Sequence, residues 1–391
     1  MFKVFDDQDS GNICFGVADR KNKYFVKFAG ALAARGGINA AEAMNNQTAA
    51  AHPAINRGME GGKMKITYRK ATKGDIRPAL DLALRVFMEF EAAEYEPEAT
   101  TRFNEDIVHN ETAIQNWISG ANSMYVACDD EKIIGVVGEK WSNGHINIVF
   151  VDGQYHRRGI ATELMNHMIC DLKLRGFDKI TLFSSPYGLP FYLNYGYTPT
   201  DVEQRSDGFI FTPMEYIPKE IWDILDENGN KTGRYRERGR KMATGDYHLV
   251  VHVWKHNGRG EWLVDRRSPE KQGWPGIWET TGGSALAGDD SLTAALRETK
   301  EELGIDLDLK KGTLFRRIAR QGNDGHTWFQ DAWVFEWNGS IDEIYFQEGE
   351  TCNAMWASTD KIREMMAAGE FVENDVYPYF DEMVEKWRAA K

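Results

Sequence analysis

The stretch from Gly283 to Ile305, GSALAGDDSLTAALRETKEELGI, limits what this chain can fold into more than any other. A loop opening at Gly282-Gly283 runs into a helix predicted to begin near Ser291 and to stop at Leu303-Gly304. Along that helix Glu298, Glu301 and Glu302 stand at i, i+3 and i+4, so they share one face. Like charges at that spacing repel, and a hard divalent cation, Mg²⁺ or Mn²⁺, set between them relieves the repulsion. A cation so held neutralises a diphosphate and lowers the pKa of a bound water, the two requirements of phosphoanhydride hydrolysis.

At 391 residues the chain is long enough for two or three domains. A net charge of −13 argues against a nucleic-acid polymer as partner, since that contact needs clustered Lys and Arg. Phosphorylated small molecules must then be met by local donors or a metal. Cys14, Cys128, Cys170 and Cys352 show no paired spacing, which points away from a zinc site or a disulfide framework. No apolar run is of bilayer length and residues 1–10 lack a signal-peptide core, so a cytoplasmic protein without membrane partners is expected. Nothing in the sequence fixes the oligomeric state.

The Gly283–Ile305 stretch resembles the Nudix box, with Gly283, Arg297, Glu298, Glu301, Glu302, Gly304 and Ile305 in register. Asp289 stands where that family has Glu, and Thr299 replaces an aliphatic residue. The resemblance implies that Glu298, Glu301, Glu302 and Gly283 hold the metal and that the carboxylates carry the catalysis. Strands predicted at 248–255, 261–266, 314–319 and 327–337, with helices at 359–368 and 379–389, fit the Nudix α/β/α sandwich. Glu348 and Glu350, on a connection before Trp356, read equally as an exposed acidic turn or, by the resemblance, as a further metal ligand or base; Trp274, Trp278 and Trp328 read as buried in the sandwich rather than as stacking platforms. The opening Trp222 to Asp226, with Tyr247 to His252 and Arg266 to Ser268, resembles the branch that includes type I isopentenyl-diphosphate isomerases. Those enzymes use a cysteine just before the box. Here Thr280-Thr281-Gly282 carries no thiol, so hydrolysis is the expected chemistry and isomerase-like activity the alternative.

Upstream, strands at 123–128, 133–140 and 146–151 follow helices expected at 76–90 and 103–118, the first behind a Thr72/Asp75 capping box. The third strand empties into DGQYHRRGIAT and then a helix to about Arg175. A strand entering a Gly-containing turn at a helix N-terminus presents free amides and the positive end of the helix dipole, which suits a pyrophosphate. The region resembles motif A of the GNAT acetyltransferases: Gly159 and Ala161 match, and His156 occupies the Gln/Arg position. By that resemblance acetyl-CoA is the co-substrate. Arg157, Arg158, Gly159, Ile160, Ala161 and Thr162 hold its pyrophosphate, while Phe150 and Val151, on a splayed strand, pair with the pantetheine arm. The later Phe191-Tyr192 with Gly196-Tyr197 is similar to the family's closing motif and implies Tyr192 as the acid that protonates the leaving thiolate. Glu139 is a candidate base, and the acidic run Glu89, Glu91, Glu94, Glu96 and Glu98 is either a solvated face or an acceptor site for a cationic amine.

Residues 1–63 open with strands expected at 13–17 and 24–28. Gly11, Gly16 and Lys27 resemble the start of a protein-kinase-type phosphotransferase, although no catalytic or metal motif of that family follows. The expected organisation is therefore multi-domain α/β: 1–63 a kinase-like fragment and linker, 64–217 a GNAT mixed sheet with flanking helices, and 218–391 a Nudix sandwich. The function so read is bifunctional, Mg²⁺-dependent diphosphate hydrolysis and acetyl transfer to an amine, on small-molecule substrates. Its alternative makes one domain a metabolite sensor without turnover.

Overall fold

A computed structural model describes residues 2–6, 13–17 and 66–389. At the N-terminus, β1 (Phe2–Asp6) and β2 (Ile13–Val17) form an antiparallel pair with Phe2 opposite Val17. The predicted partner of β2 lay downstream of it; the observed partner lies upstream, and Gly11, Lys27 and the 24–28 strand fall outside the described residues. Residues 1–63 and 64–391 are separate compact units.

The second unit begins with β3 (Ile66–Lys70) and α1 (Ile76–Phe90). The capping box forms as expected, Asp75 accepting from the Thr72 amide at 2.7 Å, on the 3-10 turn that leads into the helix. The interior face of α1 carries Ile76, Leu80, Leu82, Val86 and Phe87, which are buried, each large side chain worth about 2 kcal/mol on removal from water. The expected helix over 103–118 is interrupted. Helix α2 (Pro97–Arg102) passes into a π-turn over Phe103–Val108, and α3 (Glu111–Ser119) starts anew because Asn110 caps it, accepting from the Ala113 amide at 2.9 Å.

Next come β4 (Met124–Asp129), β5 (Lys132–Lys140), β6 (His145–Val151), α4 (Ile160–Leu174), β7 (Ile180–Ser184), α5 (Leu189–Tyr195), β8 (Thr198–Pro199), β9 (Gln204–Ser206) and β10 (Phe209–Tyr216). The sheet runs β3-β4-β5-β6-β7-β10-β8, with β9 against β10. Alternation along β4 sends Val126 and Cys128 to the face covered by α1 and Ala127 to the face covered by α4. Strands β6 and β7 are parallel and pair only at His145–Thr181 and Ile146–Leu182, so from Asn147 onward they diverge. The splay thus opens earlier than the expected Phe150-Val151. Glu139, a candidate base in sequence, is a structural residue: it is fully buried, ion-paired to Arg175 at 2.5 Å and accepts from the Ser123 amide at 3.2 Å. Pro213 lies inside β10 opposite Phe183, so the strand runs past it toward the domain boundary.

A hairpin of β11 (Ile221–Leu225) and β12 (Lys231–Glu237) follows, then β13 (His248–His256), β14 (Glu261–Arg267), β15 (Trp278–Glu279), β16 (Thr281–Ser284), α6 (Ser291–Leu303), β17 (Gly312–Gln321), β18 (Thr327–Glu336), β19 (Thr351–Ser358), α7 (Thr359–Ala367) and α8 (Phe380–Ala389). Strand β13 is parallel to β18 along its whole length and shares its other edge between β16 and β14. Helix α6 packs Ala294 and Ala295 on one face of this sheet, while α7 and α8 cover the other with Ile362, Met365, Phe380 and Met383. The result is an α/β/α sandwich beside a mixed sheet with flanking helices. The two modules meet where Arg236 of β12 makes a two-pronged pair with Glu163 of α4, at 2.9 and 3.0 Å.

The Arg175→Ala variant strips the counter-charge from the buried Glu139 and is expected to lose about 3 kcal/mol, read as a fall in the apparent thermal midpoint. Adding Glu139→Gln is expected to restore part of it. An unchanged midpoint in R175A would contradict the structural role of the pair.

Candidate functional site

In the sandwich, the loop before α6 and the helix itself bring the box residues to a cleft of about 540 Å³. Asp290 caps α6 by accepting from the Thr293 amide at 2.7 Å, and Gly304, at φ +70°, ends it. Arg297 is the organiser. It donates to Asp289 at 3.1 Å, to Glu301 at 2.9 Å and to the Ser284 carbonyl at 3.0 Å, and lies 3.0 Å from Glu298. The shorter Asp289 therefore still reaches the arginine. Thr299, at the usually aliphatic position, is fully buried and satisfies its hydroxyl on the Ala295 carbonyl at 2.8 Å.

The three glutamates share the predicted face but not the same surroundings. Glu301 is half exposed and turned to Arg297, whereas Glu298 and Glu302 are sunk into the cleft. Burial pushes the Glu298 carboxyl up to about 7 against the pull of Arg297. Glu302 is raised well above the usual carboxylate range by burial, with Asp265, Glu279 and Glu298 adding to it, and its Oε2 is buried without a hydrogen-bond partner. As the side chains stand, no three His, Cys, Asp or Glu among the described residues are gathered tightly enough to enclose a cation. The donor set nevertheless fits one. Oxygen ligands, a crowded negative charge and an orphaned carboxylate oxygen at the cleft are what a hard divalent ion satisfies. Gly283 lies against Glu298: a Cβ there would fall 2.3 Å from its carboxylate.

Several residues of this site were not singled out in sequence. Lys271 pairs with Glu350 at 2.6 Å and stands 3.5 Å from Glu302; Glu279 is bonded by Arg267 at 2.6 Å and raised by burial to about 7. Beneath them Lys255, with no exposure, donates to the Thr281 hydroxyl, which donates in turn to Asp265 at 2.6 Å. A lysine inside a run of valines on β13 was the available signal. Of the two carboxylates offered by the 347–350 connection, Glu350 lines the cleft and Glu348 does not. Trp274, expected to be buried, is exposed at the cleft mouth; Trp278 is half-buried against the aromatic core.

In the other module, α4 starts after a loop in which Arg157 (φ +63°) and Gly159 (φ +78°) adopt left-handed conformations, turning the chain so that the first amides of the helix, those of Ile160, Ala161 and Thr162, face outward without intrahelical partners. His156 at the Gln/Arg position bends back and donates to the Val151 carbonyl at 2.7 Å. A cavity of about 450 Å³ opens in the splay, lined by Asn147, Val149 and Phe150 on β6 and by Tyr192 on α5; Val151 is buried on the opposite side against α4. Burial raises the Tyr192 phenol far above its ordinary value, which keeps it protonated. Lining the same cavity stands Glu91, the least exposed member of the acidic run. Burial lifts its carboxyl to about 7, opposed by a hydrogen bond from Ser185 and helped by the charge of Glu94. Cys128 and Cys170 are buried free thiols and Cys352 an exposed one, and none of the three lines either cavity. Among the described residues, no helix is long and apolar enough to cross a membrane.

Residues 91–218 match the family described as acetyltransferase (GNAT) domain, and residues 246–380 the NUDIX domain. An uncharacterized Nudix hydrolase of Listeria monocytogenes is 36% identical over 162 residues, 41% of this chain and 90% of that protein. The isopentenyl-diphosphate Delta-isomerase of Citrobacter koseri is 33% identical over 85 residues, 22% of this chain and 47% of that one. Among solved structures, the PaiA N-acetyltransferase of Thermoplasma acidophilum in complex with coenzyme A is 20% identical with a TM-score of 0.34, covering 39% of this chain and 99% of that one.

Proposed function

The chain belongs to the Nudix hydrolase family and carries a GNAT acetyltransferase domain as well, and from that premise we propose that it is a bifunctional enzyme, split near Ile217. One half hydrolyses a diphosphate-linked small molecule with Mg²⁺ or Mn²⁺; the other transfers acetyl from acetyl-CoA to an amine. The observation that carries the first half is the buried, mutually repelling pair Glu298 and Glu302 lining the cleft, with the Oε2 of Glu302 left without a hydrogen-bond partner. With the Gly283 carbonyl, and with Glu301 once it leaves Arg297, they would hold the metal. A bound divalent ion neutralises the diphosphate and makes a water acidic enough to attack. A cleft carboxylate orients that water, whose oxygen bonds to phosphorus as the anhydride P–O bond breaks. Lys271, Arg267 and Arg238, all lining the cleft, supply positive charge for the substrate's phosphates. The isomerase reading gains nothing from Thr280 and Thr281: Thr280 donates to the Val253 carbonyl at 2.7 Å, Thr281 is locked between Lys255 and Asp265, and neither offers a thiol.

For the transferase half, the outward amides at 160–162 suit the CoA pyrophosphate, with Arg157 to Gly159 forming the turn before them. Phe150 on β6 borders the thioester's path into the splay, and Tyr192 is the proton donor to the departing thiolate. That Tyr192 lines the same cavity as the splayed strand supports this assignment.

A panel of nucleoside-diphosphate derivatives with Mg²⁺ tests the hydrolase. Glu302→Gln is expected to lose on the order of 10²-fold or more in kcat with the fold retained, and Gly283→Ala to lose a comparable amount by displacing Glu298. Wild-type turnover in either variant would remove the metal assignment. In a thiol-release assay with acetyl-CoA and amines, Tyr192→Phe is expected to lower kcat about 10²-fold; an unaltered kcat would remove Tyr192 as the acid.

A further inference from the structure

The cavity in the β6–β7 splay has more character than acetyl transfer alone requires. Its walls are aromatic: Phe87 stacks on Phe103 at 4.1 Å between ring centres, Tyr95 meets Phe209 edge-on at 5.4 Å, and Phe183 packs against Phe211 at 4.7 Å. At the rim Phe183 and Trp141 are more than half exposed, and Trp141 is held at φ +71°, a conformation a bulky side chain adopts only at a cost. Exposed aromatics converging on one mouth are poorly explained by folding, since burying them elsewhere would stabilise the chain.

Charge within the cavity is sorted. Near the mouth, Arg102 lies 3.1 Å from Asp207 and 3.8 Å from Asp106, and Lys140 sits over the Trp141 ring at 4.6 Å. Glu91, at depth, has no cation within ion-pair distance among the described residues. Around it stand Glu94 and Tyr95 from the segment after α1, Tyr187 and Ser185 from the turn after β7, and Tyr192 from α5. Arg157 lies near Tyr187. None of these is an immediate counter-charge for Glu91. On β6, the buried amide nitrogen of Asn147, a lining residue, lacks a hydrogen-bond partner.

Resting on the acetyltransferase reading above, we infer that this cavity takes as acetyl acceptor a primary amine borne on an aromatic or branched apolar body, with Glu91 meeting the ammonium and acting as its base. The body lies between Phe209, Phe211 and Phe183, and Asn147 donates to an acceptor atom of the bound pair. Glu91 takes one proton from the ammonium and passes it to solvent. The freed nitrogen attacks the thioester carbonyl, the C–N bond forms and the C–S bond breaks. The second proton lost from nitrogen is balanced by the one Tyr192 delivers to sulfur, so the products are the amide and CoA thiol. A carboxylate base functions above its own pKa, so kcat/KM, which reports the unliganded cavity, rises with pH through about 7, while the bound ammonium moves the corresponding limb of kcat lower.

The test uses the full-length protein, acetyl-CoA and thiol release, comparing 2-phenylethylamine and isoamylamine with spermidine and lysine, and acetyl-CoA binding measured separately by calorimetry. The apolar-bodied amines are expected to lead in kcat/KM by tenfold or more. Glu91→Gln is expected to lose 10²- to 10⁴-fold in kcat and the kcat/KM limb near pH 7, with Glu91→Asp recovering part. Phe211→Ala, which spares the base, is expected to raise KM for 2-phenylethylamine several-fold at nearly constant kcat. A tenfold preference for spermidine or lysine, silence of both Glu91→Gln and Phe211→Ala, or acetyl-CoA binding without turnover of any apolar amine overturns the inference and leaves the acetyl-CoA site standing. Absence of acetyl-CoA binding fells the acetyltransferase reading and this one with it.

Discussion

The hydrolase half is arranged around a problem of buried charge. Burial raises the pKa of Asp265, Glu279, Glu298 and Glu302 alike, and neighbouring carboxylates add to it: Asp265 acts on Glu279, and Asp265, Glu279 and Glu298 act on Glu302. Isolated ionised carboxylates in such a place would cost far more than a domain's margin of stability. The fold answers with Lys255 beneath, Arg267 and Lys271 at the side and Arg297 above, each positioned by a different element: β13, β14, the loop after it, and α6. The cations do not cancel the set completely, since oxygens of Asp265 and Glu302 remain without partners. That residual charge is the physical basis for assigning a divalent ion to the cleft.

Arg297 also explains why the box tolerates Asp289. Its guanidinium spans Asp289, Glu301 and the Ser284 carbonyl, and so ties the loop to the helix across more than one turn. The same residue holds the half-exposed Glu301 away from Glu298 and Glu302.

What could be read from the sequence follows from how local the determining physics is. Helix α6, its Asp290 cap and the i, i+3, i+4 carboxylates depend on residues within a few positions of each other, and these were legible. So were α1 and the loop into α4, where Gly159 punctuates. The break at Asn110 was missed because an apolar rhythm on both sides outvoted one capping residue. Glu139 was misread for a different reason: its partner Arg175 is 36 residues away, across the sheet, and no local pattern announces it. Lys271 escaped notice likewise, and Arg267 and Glu279 were given no place in the site, because β14, β15 and their loops are what bring them to the cleft. The acidic run from Glu89 to Glu98 resolved into different fates once α1 ended at Phe90: Glu98 pairs with Arg102 on the surface, and Glu91 turns inward.

Comparing Glu139, Glu302 and Glu91 gives a rule for telling scaffold from site in this chain. Glu139 is the most deeply buried of them and has Arg175 and backbone amides to itself, so nothing is left over for a ligand. Glu302 has a lysine at 3.5 Å and an oxygen unmet, so it is partly spoken for and partly available. Glu91 has neutral donors and like charge around it and an open cavity in front. A buried carboxylate is costly unless something answers its charge. Where the protein itself supplies the answer, the residue holds the fold; where it does not, the missing counter-charge has to arrive with the ligand. By that criterion the two cavities differ in the ligand we propose for each: a hard divalent cation with a diphosphate in one, an organic ammonium in the other.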